Sequence, residues 1–68
     1  MTKLTQAQIG ERVGISQPFL SQIFSGTRRP GVSAAQRIAA VADIEWWRVM
    51  EMEGAEIEKL LRKALTPK

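Results

Sequence analysis

The sequence predicts an all-helical fold, a compact bundle of about five short helices, and three observations carry that prediction. β-Branched residues are scattered and never alternate with polar ones as a strand requires. Apolar residues instead recur at intervals of three and four. Residues that start and stop helices also follow one another at helix-length spacing.

Thr5 and Gln8 form a capping box that opens the first helix, and Gly14 stands where that helix stops in a left-handed turn. Ser16 is a suitable N-cap for the second helix, Pro18 is tolerated in its first turn, and Gly26 is placed to end it. About three residues therefore join two short helices. Within the first, Ile9 and Val13 point inward and Gly10 lies between them on the wheel, leaving room for a second helix to approach. After a loop from Thr27 to Val32, Ser33 and Gln36 read as another capping box, opening an alanine-rich helix to about Ala42. Asp43 reads as the N-cap of a fourth helix containing Trp46 and Trp47. Gly54 breaks the chain before a last helix over about 55–65, and Pro67 follows its end. On that helix Ile57, Leu60, Leu61, Ala64 and Leu65 share an arc of about 140°, opposite Glu58, Lys59, Arg62 and Lys63.

A chain of 68 residues supports one domain, residues 1–68, near the size at which core packing alone offsets chain entropy. Oligomerisation is the usual supplement. Neither cysteine nor histidine is present, so no disulfide, thiolate zinc site or imidazole ligand is expected, and no cofactor or small-molecule ligand is implied. No apolar run reaches membrane-span length and no signal-like stretch opens the chain, so the expected location is the cytoplasm. The net charge of +3 is unevenly placed. Residues 1–37 carry five bases against one acid, whereas residues 38–68 carry five bases against six acids. The front half suits a polyanion, and the back half does not.

The segment from Gln17 to Ser25 divides into two unlike faces. Phe19, Leu20, Ile23 and Phe24 take one side, while Gln17, Pro18, Ser21, Gln22 and Ser25 fill an arc of about 140° opposite. That polar arc bears no charge, whereas an ordinary solvated helix face carries Lys and Glu. Glutamine can pair bidentately with adenine in the major groove, and serine can reach base edges or a phosphate. A polar, solvent-facing helix is the plain alternative.

The stretch TQAQIGERVGISQPFLSQIFSGTRRP resembles the helix-turn-helix of the Cro and phage-repressor (XRE) family, and SAAQRIAAVADIEWWRVM is similar to that family's fourth and fifth helices. The likeness covers roughly residues 4–52, with the helix-turn-helix core at 6–25, and implies a lambda-repressor-like bundle that binds double-stranded DNA. Carried over by position, Gln6 matches a glutamine that bonds a DNA phosphate, and Gln17 matches a position that reads a base. Pro18, Ser21 and Gln22 match further groove-facing positions. Ser16, Ser25, Thr27, Arg28 and Arg29 would flank the groove and contact phosphates. The implied function is that of a transcriptional regulator, a Cro-type repressor acting sterically as a homodimer on a palindromic operator.

The chain departs from the family pattern at its start, where only Met1 to Thr5 precede Gln6 and a full first helix is usual. The C-terminal helix is the natural replacement cover. Its stripe of Ile57, Leu60, Leu61, Ala64 and Leu65 would pack within the chain or across a dimer, the dimer being favoured because helix exchange also stabilises a small core. Trp46 and Trp47 point about 100° apart on a helix, so they do not both enter one core; the resemblance to the family implies Trp46 inward and Trp47 at an interface. The acids Glu51, Glu53, Glu56 and Glu58 spread around a helix without converging, and no nucleophile or base accompanies them, so catalysis is not expected. A different reading makes the domain a protein-interaction module, such as an antitoxin or anti-repressor, docking through Phe19, Trp47 and the C-terminal stripe.

Overall fold

The computed structural model describes residues 4–66, so Lys3 and the expectation for Pro67 lie outside the described residues. Five helices and no strand occur among them: α1 (Gln6–Val13), α2 (Gln17–Ser25), α3 (Val32–Ala42), α4 (Trp46–Glu51) and α5 (Gly54–Leu65). Helix α1 starts at the Thr5 capping box, in which the Gln8 N–H donates to Thr5 Oγ1 at 3.1 Å and the Thr5 N–H donates to Gln8 Oε1 at 2.9 Å. Gly14 ends it at φ 84°, a left-handed conformation that costs a residue with a Cβ about 1–2 kcal/mol.

Three boundaries differ from those read in the sequence. Helix α3 begins at Val32 with Gly31 as its N-cap, because the Ala35 N–H already closes a turn onto the Gly31 carbonyl at 2.8 Å. Ser33 therefore lies inside the first turn and forms no capping box with Gln36. Asp43 does not open α4 but closes α3, with φ 59° and its N–H donating to the Ala39 carbonyl. The short polar side chain of Asp tolerates that left-handed position, and Glu45 stands next to the first residue of α4 as its N-cap. Gly54 is the first residue of α5 rather than a break outside it, since Glu53 and Glu56 form a reciprocal capping box around it.

The core is contiguous. Ile9 and Val13 of α1, Ile15 of the turn, Leu20, Ile23 and Phe24 of α2, and Ala34, Ala35, Ile38 and Ala39 of α3 close over Val49 of α4 and Ile57 and Leu61 of α5. The alanines of α3 let its neighbours approach closely. Helix α5 packs on α1, α2 and α3 of its own chain. Of its stripe, Ile57 and Leu61 are fully buried, Leu60 and Leu65 half-buried, and Ala64 exposed. Cover for the core thus comes from within the chain. Each fully buried large side chain contributes about 1.5–3 kcal/mol relative to exposure.

Arg62 fastens this cover at a second point. Its Nε and Nη2 both contact Glu58 Oε2 at 2.9 Å, one turn back, and its Nη1 donates to the Leu4 carbonyl at 2.5 Å. The segment before α1 is thereby tied to α5. Three acidic residues of the back half have structural partners, Glu53 and Glu56 at the start of α5 and Glu58 on Arg62.

Trp46 does not point inward. Trp46 is 38% exposed and Trp47 50% exposed, their rings meeting edge to face at 6.3 Å between centroids. A helix of six residues offers the core one inward position, and Val49 occupies it.

Candidate nucleic-acid interface

Two short helices and a three-residue turn place the reading face. At the end of α1, the N–H groups of Gly14 and Ile15 both donate to the Gly10 carbonyl, at 2.7 and 3.0 Å. The turn folds back so tightly that a Cβ on Gly10 would lie 2.6 Å from the Ile15 carbonyl oxygen and 3.7 Å from the Gln17 nitrogen. The close neighbour of Gly10 is therefore the turn and the first residue of α2, not the side of a packed helix. Ile15 is buried, which anchors the turn and fixes the direction in which α2 leaves it.

Helix α2 is held by Leu20, Ile23 and Phe24, all buried, with Phe19 half-buried beside them. Its opposite side is open. Gln17, Pro18 and Gln22 are exposed and Ser21 is half-buried. The four side chains that the sequence assigns to base reading thus share one side of a helix whose other side is locked into the core, an arrangement that presents amides with little backbone freedom.

The residues assigned to phosphates are placed less uniformly. Ser16 is exposed at the N-cap of α2 and its hydroxyl makes no capping bond. Gln6 is half-buried as the first residue of α1. Ser25 Oγ donates to the Gln22 carbonyl at 3.1 Å and lies 2.9 Å from Thr27 Oγ1, so these two hydroxyls are engaged in ending α2. Arg28 lies over the Phe19 ring with its Cζ 5.8 Å from the centroid, on the flank of α2. Arg29 turns away: its Nη1 donates to the Met50 carbonyl at 3.3 Å, tying the loop to the last turn of α4.

One basic residue absent from the sequence assignment lies beside this surface. Arg37, on α3, rests its guanidinium against Gly14, so that a Cβ there would be 2.8 Å from Arg37 Nη1. Neither periodicity nor spacing links positions 14 and 37, and only the packing of α3 on α1 brings them together.

Among the described residues no helix is long and apolar enough to cross a membrane. Neither the curated proteins nor the solved structures include a match to this chain. The family model described as Helix-turn-helix matches residues 2–46, from before α1 to the start of α4. That span includes α1, the turn, α2 and α3, and α5 lies beyond it. The chain belongs to the Cro and phage-repressor (XRE) helix-turn-helix family of DNA-binding transcription regulators.

Proposed function

We propose that this protein is a sequence-specific repressor of the Cro type that binds a palindromic operator as a homodimer. The observation that carries the reading is the outer face of α2: Gln17, Pro18 and Gln22 are exposed, uncharged and borne by a helix whose other face is buried. In the major groove Gln17 and Gln22 read base edges, with Pro18 and Ser21 lying against them. Ser16, Gln6 and Arg28 hold the flanking backbone, with Thr27 and Ser25 shaping the loop beside it. Arg29 contributes by keeping that loop on α4.

The dimer surface in this reading is α4 rather than the stripe of α5. Ile57 and Leu61 are spent in the core of their own chain, whereas Trp46 and Trp47 stand open. Asp43, Glu45 and Arg48 line a surface cleft with Trp47, so acids and a base of two copies can pair about a two-fold axis. Leu65 packs against the core, with Leu60 half-buried and Ala64 exposed beside it. The location that goes with this function is the cytoplasm, at the nucleoid.

Selection from random duplexes at about 150 mM salt tests the proposal. An enriched inverted repeat, with half-site centres about 34 Å apart, is the expected result. A pool that stays random, with binding only at low salt, contradicts it. The exposed tryptophan pair also fits a protein-interaction module of the antitoxin or anti-repressor kind, and that second reading gains if the pool stays random.

A further inference from the structure

A cleft of about 300 Å³ opens between the start of α2 and the first turns of α3, bordered by Gly14, Ser16, Phe19, Ser33 and Arg37. Three of these side chains can donate hydrogen bonds to an anion. Ser16 and Ser33 are exposed, and neither hydroxyl caps a helix. Arg37 is exposed as well, and among the described residues no carboxylate pairs with it. Its guanidinium lies beside Gly14 in the turn that aims α2, where a Cβ would stand 2.8 Å from Nη1.

We propose that Arg37, together with the hydroxyls of Ser16 and Ser33, holds one backbone phosphate of the duplex at the flank of α2. This rests on the reading that α2 lies in the groove, and it adds a contact from a different helix. The chemistry fits. A planar guanidinium with parallel N–H donors suits two phosphate oxygens, and the two hydroxyls can serve the remaining lone pairs. Ser16 immediately precedes Gln17, so a phosphate held here would fix the register in which Gln17 meets the bases. Gly14 has a second duty in this arrangement. Any side chain at position 14 would displace the guanidinium as well as strain the turn.

The test uses the full chain and the duplex it selects, with R37Q, which keeps most of the side-chain stem over Gly14, and R37K, which keeps the charge. Dissociation constants are measured across a salt series on the selected duplex and on a scrambled one, with the thermal midpoint of each variant alongside. R37Q is expected to weaken both duplexes by the same factor, roughly 3- to 10-fold at 150 mM salt, and to lower the salt slope by about one unit. R37K is expected to restore the slope. Ethylation interference should lose one phosphate per half-site in R37Q and keep it in the wild type. An unchanged slope and interference pattern in R37Q, with the wild type binding its site, overturns the phosphate contact and leaves the groove reading intact. Loss at a single base position in place of a uniform loss also overturns it, as does loss of affinity that merely follows a lowered thermal midpoint. A wild type that prefers no duplex removes both readings together.

Discussion

Gly54 meets the end of α2 so closely that a Cβ there would overlap the Ile23 carbonyl oxygen and stand 2.6 Å from that of Phe24. The first residue of the covering helix thus touches the backbone of the helix that presents Gln17 and Gln22. Stability and the pose of the reading face are joined at this point.

Gly54→Ala is therefore expected to destabilise, by about 1–3 kcal/mol, because the obstructing atoms are backbone carbonyls that cannot rotate aside. Helix propensity argues the other way, favouring Ala over Gly by about 1 kcal/mol inside a helix. Urea unfolding followed by circular dichroism decides between them. A variant as stable as the wild type would show that α5 does not seat against α2 in this way.

Asp43→Gly tests the opposite sign. Asp43 holds φ 59° at the C-cap of α3, its N–H bonded to the Ala39 carbonyl. Glycine reaches that conformation without Cβ strain, so the substitution should stabilise by about 0.5–1 kcal/mol, raising the urea midpoint at constant m. A lowered midpoint would mean that the Asp43 side chain supplies more than the strain it bears.

The two loop arginines should separate by readout. Arg28 is exposed over Phe19, and Arg28→Ala is expected to weaken every duplex about equally while lowering the salt slope by about one unit. Arg29 donates to the Met50 carbonyl, and Arg29→Ala is expected to cost about 1 kcal/mol of stability with little change in slope. Salt-series binding and urea unfolding on both variants check this. An unchanged slope in Arg28→Ala takes Arg28 off the backbone, and a slope loss in Arg29→Ala puts Arg29 on it.

The helix-turn-helix was legible because its signals are local. Thr5 and Gln8, Gly14, Ser16 and Gly26 lie at the ends of α1 and α2, and the 3.6-residue period separates Leu20 and Ile23 from Gln17 and Gln22. Ser33 and Gln36 had the spacing of a capping box, yet the turn had already closed on Gly31. Asp43 suited an N-cap by residue type, but the same short polar side chain suits a left-handed C-cap. The resemblance implied an inward Trp46, whereas the six-residue α4 buries Val49 and leaves Trp46 exposed. Arg37 on Gly14, Arg29 on Met50 and Arg62 on Leu4 join residues distant in sequence, and no local pattern encodes such meetings. The covering role of α5 was readable from its stripe, and α5 packs on α1, α2 and α3.

Base reading by the exposed amide face of α2 is measured with Gln17→Ala on the selected duplex and on its set of single-base variants. Gln17→Ala is expected to lose about 1–3 kcal/mol on the selected site and to relax preference at one position of each half-site, with the salt slope unchanged. A uniform loss on every sequence, the selected and the scrambled alike, would contradict it.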